Sequence, residues 1–169
     1  MTDEKVAKTI NTYAMTFCGE YTINQDDNKN SIPGILLGRY PGDSYAGGNP
    51  WQLLTAALAK LFYQGAVSMR ELNGFQRRED KEAWTELLSL HENASTEDFI
   101  EAATSAGDSV MYRLFQHVKS DGGHISEQIG RNSGAQASAK DLTWSFANVL
   151  SAMKTRAKAV SAMERVEKE

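Results

Sequence analysis

Two stretches of this sequence carry residue types that could do chemistry together. The first is Gly38-Arg39-Tyr40-Pro41-Gly42-Asp43-Ser44-Tyr45, followed closely by Gly48-Asn49-Pro50-Trp51. Sugar-like ligands offer hydroxyls to forked donors and acceptors, and apolar ring faces to aromatic side chains. Arg39, Asp43, Tyr40 and Trp51 supply both kinds of contact. On spacing alone the plainer outcome is the commoner one: a structured loop with an internal Arg39–Asp43 ion pair and a core tryptophan.

The second stretch is Asp121-Gly122-Gly123-His124-Ile125-Ser126-Glu127-Gln128. A glutamate beyond a glycine-rich turn is usually a solvated loop residue. Glu127 gains weight only if another part of the chain meets it. His91, His117 and His124 show no metal-ligand spacing, so no metal and no cofactor is expected. Cys18 stands alone and reads as a small core residue. A phosphate-cradling glycine loop, a nucleophile elbow and a CxxC pair are all missing.

Composition narrows the classes further. Lys plus Arg is 18 against 22 for Asp plus Glu, a net charge of −4. Mild acidity argues against a nucleic-acid partner. No run reaches the roughly 18 apolar residues of a membrane span. The polar start Thr2-Asp3-Glu4-Lys5 does not resemble a secretory leader, so the expectation is a cytosolic chain or one whose true N-terminus lies elsewhere.

Helices must position these clusters. Val6, Ile10, Tyr13, Ala14 and Phe17 share one helical face, predicting a helix over 3–18. Residues 20–49 read as one long functional loop. Asn49 as N-cap and Pro50 at the first position open a second helix over 51–62, apolar nearly all round and so expected to be buried. Helices follow over 79–91 and over 96–119, the latter capped by Ser95-Thr96-Glu97-Asp98. A polar loop spans 120–140, and a last helix begins at Asp141 and runs into a charged tail over 154–169. No strand pairs stand out. The fold class expected is all-α, about five helices joined by long polar loops, in a single domain.

Taken together, the two clusters resemble the glucoamylases of glycoside hydrolase family fifteen. Gly38-Arg39-Tyr40-Pro41 with Asp43, Tyr45 and Asn49-Pro50-Trp51 is similar to that family's G-R-Y-x-x-D-x-Y and G-N-P-W motifs. About 76 residues further on, Ser126-Glu127-Gln128 is similar to its S-E-Q motif. Ser138-Ala139-Lys140-Asp141-Leu142-Thr143-Trp144-Ser145-Phe146 is similar to its S-A-R-D-L-T-W-S-Y segment. Gly42, Gln52 and Phe146 depart from the family, which often has an acid, an aromatic and a tyrosine at those places.

The resemblance implies part of an (α/α)6 toroid, with residues 1–169 forming the C-terminal portion of a glucoamylase-like catalytic domain. It also implies inverting hydrolysis of α-1,4 bonds from the non-reducing ends of starch, glycogen or maltooligosaccharides. By motif position Glu127 takes the general-base role. Arg39 binds substrate hydroxyls with Asp43 beside it, Tyr40 and Trp51 line the pocket wall, Ser138 supports the base, and Trp144 is an aromatic near it. The family's general acid lies upstream of the arginine motif and has no match here, so the absent first half of the domain is an expected partner. A ring cut this way would expose helix flanks, with the apolar helix 51–62 as the expected source. Related enzymes are commonly secreted or vacuolar. The alternative implied is a non-catalytic carbohydrate-binding or regulatory module, as in the regulatory subunits of phosphorylase kinase.

Overall fold

The computed structural model describes residues 1–163, and the last six positions of the charged tail lie outside it. Six α-helices carry these residues: α1 (Glu4–Glu20), α2 (Thr22–Lys29), α3 (Gln52–Glu71), α4 (Arg78–Leu88), α5 (Thr96–Val118) and α6 (Thr143–Met163). The all-α expectation holds, with one helix more than the sequence suggested. A two-residue hairpin, β1 (Gln128–Ile129) against β2 (Gln136–Ala137), is antiparallel and was not foreseen.

The capping signals are local, and the one at Ser95 reads correctly. Asp3 caps α1 by accepting from the Lys5 amide at 2.8 Å. Ser95 and Asp98 form a reciprocal capping box at the start of α5, satisfying two otherwise orphaned donors. The α3 cap is different. Its N-cap is Trp51, with no side-chain bond, and Asn49 and Pro50 stay outside the helix. Asn49 instead spends its amide on the Ala46 carbonyl, the Gln128 side chain and the Arg131 amide.

The helix inside the expected 20–49 loop was missed because its inward face is mostly polar, Ile23 being its one buried apolar side chain. Asn24 and Asp27 of α2 are buried. Asn24 donates to the Phe17 and Leu36 carbonyls at 2.9 Å each and accepts from the Leu36 amide. Arg113 of α5, fully buried, meets this face from the other side. Apolar periodicity cannot find a helix held by polar contacts.

α3 is the centre of the packing, flanked by α5 and α6. Its buried face includes Leu53, Ala56, Leu58, Ala59, Phe62, Tyr63, Ala66 and Met69. Gly107 lets α5 approach it closely, since a Cβ there would lie 2.5 Å from the Tyr63 ring. The exposed apolar flank expected of helix 51–62 is therefore found elsewhere. Tyr112 and Phe115 of α5 and Leu150 and Met153 of α6 are each at least half exposed. Tyr112, Phe115 and Met153 border an apolar groove of about 650 Å³ between the two helices.

Candidate active site

The arginine loop is held from two sides before Arg39 is reached. Gly38 sits where a Cβ would lie 1.8 Å from the Tyr21 hydroxyl, so no larger residue fits. Tyr13 of α1 donates its hydroxyl to the Arg39 carbonyl at 2.7 Å. The guanidinium then forks onto Asp43, with Nε donating to Oδ2 at 2.7 Å and Nη2 to Oδ1 at 2.8 Å. Paired N–H donors on one carboxylate are the strong, geometrically fixed form of this contact.

Aromatic rings surround the cation. The guanidinium carbon lies 4.8 Å from the Tyr45 ring centre, 4.9 Å from Trp51 and 5.5 Å from Tyr40. Trp51 is buried, whereas Tyr40 and Tyr45 are half exposed. The Arg39 guanidinium, with help from the Tyr45 amide, holds the Asp43 carboxyl at about 2. Its folded pKa is depressed, so the pair is complete above about pH 4 and is lost only as pH falls towards 2. With Nε and Nη2 engaged, Nη1 bonds no other described residue, and a third of the side chain reaches solvent. That edge can donate to an external hydroxyl.

Glu127 reaches the same end of α3 through backbone pairing. The Trp51 amide donates to the Leu37 carbonyl, the Gln52 amide to the Glu127 carbonyl, and the Ile129 amide to the Pro50 carbonyl. Trp51 thereby bridges antiparallel to Gln128. Both long loops converge on the N-terminal end of α3, as two halves of one site require.

Ser138 donates its hydroxyl to Glu127 Oε2. It does so from a left-handed backbone, φ 66°, which a non-glycine residue adopts only when its surroundings hold it there. Among the described residues Glu127 Oε1 accepts no hydrogen bond. Trp144 stands in the first turn of α6, well exposed, outside the stacking around Arg39. His124 pairs with Asp141 at 2.7 Å on the flank of the second loop. No group of three His, Cys, Asp or Glu side chains gathers to hold a metal among the described residues. The α5–α6 groove is lined by none of the candidate residues.

The profile described as "Glycosyl hydrolases family 15" matches residues 2–154. The chain belongs to glycoside hydrolase family 15. Its relatives include the glucoamylase of Blastobotrys adeninivorans, 30% identical over 89% of this chain. Glucoamylase-1 of Schizophyllum commune is 31% identical over 94%. The solved family 15 glucoamylase from Hypocrea jecorina superposes with a TM-score of 0.77 at 26% identity, over 93% of this chain. The family 15 chain described here spans only 27% of the first of these relatives, 28% of the second and 27% of the solved structure. Its helices form part of the family's (α/α)6 toroid.

Within that family frame, the structure gathers Arg39, Tyr40, Asp43 and Trp51 into one cluster and joins Ser138 to Glu127. Three neighbouring residues were given no role by the sequence reading. Tyr45 stacks on Trp51, ring centres 5.8 Å apart, and was visible only as one more motif aromatic. Gln52 and Gln136 bond each other; Gln52 stood out only as a departure from the family motif, and no local signal marks Gln136.

Proposed function

We propose that residues 1–169 are the C-terminal portion of a catalytic domain and supply the base-bearing side of an inverting glucan 1,4-α-glucosidase. The observation that carries this reading is the Glu127 carboxylate, bonded by Ser138 on one oxygen, on a loop paired with the Trp51 segment beside the Arg39–Asp43 fork. An inverting site needs one carboxylate to take a proton from water and a second carboxyl group, about 6.5–9.5 Å away, to protonate the leaving oxygen. Glu127 fits the first role, because Oε1 is left for water. The acid is supplied from outside residues 1–169, and the substrate class is starch, glycogen or maltooligosaccharide.

The purified chain alone is expected to release no glucose from maltooligosaccharides at rates typical of a complete enzyme. General-acid assistance contributes about 10²–10⁴-fold, and no matching acid is present. Activity is expected when residues 2–154 are grafted in place of the matched part of the Schizophyllum commune glucoamylase-1. A graft that folds and binds maltotriose without turnover would favour the non-catalytic reading instead.

In the same graft, Arg39→Ala is expected to raise KM more than it lowers kcat. It removes a charged donor present before and during reaction, worth roughly 1.5–3 kcal/mol, or about 10–100-fold. An unchanged KM would remove Arg39 from the substrate-binding set.

A further inference from the structure

Glu127 follows a glycine-rich turn and precedes only a two-residue strand, so regular structure does little to orient it. Four backbone groups set its direction. The Glu127 amide donates to the Ala139 carbonyl at 2.8 Å, and the Gln52 amide donates to the Glu127 carbonyl at 3.1 Å. Those two bonds are independent of side-chain identity. The other two are not. The Ser126 amide donates to Gln136 Oε1 at 2.8 Å, and Gln52 Nε2 donates to the Gln128 carbonyl at 3.2 Å. The residues on either side of Glu127 are thus held by two glutamine side chains.

These glutamines also hold each other. Gln52 Nε2 donates to Gln136 Oε1 at 2.8 Å. Gln136 Nε2 donates to Asp121 Oδ2 at 2.7 Å and to the His124 carbonyl at 2.8 Å. Every hydrogen-bonding site of the Gln136 amide is therefore used. Turning it over would set NH₂ against two donors and the carbonyl against two acceptors, so its neighbours fix one orientation. Gln52 is fully buried in the first turn of α3, the helix at the centre of the packing. It stands where the sequence departs from the aromatic that often follows the tryptophan of the family motif.

We propose that Gln136, braced by Gln52, is the positioning residue that sets the orientation of the Glu127 carboxylate. The pair ties the second loop to α3 through side chains, in parallel with the backbone bridge at Trp51 and Gln128. It touches no reacting atom and acts through the Ser126 amide and the Gln128 carbonyl. The significance of that orientation rests on Glu127 being the base. The orientation itself can be measured without any turnover, so failure of one idea is separable from failure of the other.

The test uses the chain itself, isotope-labelled, by solution NMR. Gln136→Met keeps the length of the side chain and removes its donors and its strong acceptor, leaving only a weakly accepting thioether. It is expected to speed hydrogen exchange at the Ser126 amide about tenfold, as loss of one hydrogen bond would. It is also expected to abolish the through-space contact between the Glu127 γ-protons and the Ser138 β-protons. Amides in the middle of α3 and α5 should keep their protection. Gln52→Met should loosen Ser126 less, because the bond from Ser126 to Gln136 remains. A Glu127–Ser138 contact that persists in Gln136→Met overturns the proposal. So does loss of protection spread equally over α3 and α5, which would make the role merely structural. Should Gln136→Met fail to fold, Gln52→Met decides: an intact Glu127–Ser138 contact with wild-type exchange at Ser126 overturns the brace, and loosening at both upholds it.

Discussion

Glu127→Gln, introduced into the graft of residues 2–154, is expected to lower kcat by about 10²–10⁴-fold, with KM within about twofold of the parent. An amide has the shape of the carboxylate and can still accept the Ser138 hydroxyl. It cannot take a proton from water, so binding survives and the hydrolytic step does not. Glu127 is only partly buried, and its side chain makes a single hydrogen bond to the described residues, so thermal stability should barely change. The measurement is steady-state glucose release alongside maltotriose binding. Near-parental kcat in the variant would mean that the base lies elsewhere. Loss of binding together with rate would mean that Glu127 holds substrate rather than activating water. Set beside Arg39→Ala, where KM carries the larger change, the two variants separate the chemical role from the binding role.

Arg113→Met is expected to cost about 3–5 kcal/mol of folding stability, the range for removing one partner from a buried charge network. Its side chain is fully buried. It donates to the Pro33 carbonyl at 3.1 Å, the Asn24 carbonyl at 3.3 Å, Asn24 Oδ1 at 3.0 Å and Asn28 Oδ1 at 2.6 Å, and also to the Ile32 carbonyl. Asp27, itself nearly buried, lies 3.7 Å from its Nε. Methionine would fill most of the volume yet strip these acceptors of the guanidinium donors, leaving Asn24 Oδ1 only the Leu36 amide, and deprive Asp27 of its nearby guanidinium. Urea denaturation of the chain measures the loss, and a change below about 1 kcal/mol would show that water or His117 takes over. The effect should reach the candidate site. Arg113 fixes α2 and the segment after it. Leu36 and Leu37 then bond Asn24 and Thr55 and lead directly into Arg39.

The helices whose signals are local were legible in the sequence. α1, α4 and α5 fall within two or three residues of the expected ranges, because apolar spacing and capping depend only on near neighbours. α3 was placed and expected to be buried, but it runs nine residues further, to Glu71. α2 was not legible, since two of its three buried side chains, Asn24 and Asp27, are polar and have partners some 90 positions away. Asn49-Pro50 looked like a helix start by composition. Tertiary pairing with residues 128–131 outbid the capping geometry for the Asn49 amide.

By itself, the sequence determined the family, the all-α class and the identity of the residues in each motif, since those are carried by residue type and spacing along the chain. An Arg39–Asp43 pair was the commoner outcome of spacing, and support of Glu127 by Ser138 was implied by the resemblance, but the sequence could not say that the fork closes between the Tyr45 and Trp51 rings, or that Glu127 is tied to the first turn of α3. Only the tertiary structure decided those, because they depend on how α3 packs between α5 and α6 and brings loops some 76 residues apart to one end of a helix. Contacts of that range leave no periodicity in either partner, and a buried glutamine pair such as Gln52 and Gln136 acquires its meaning only from the groups that packing places around it.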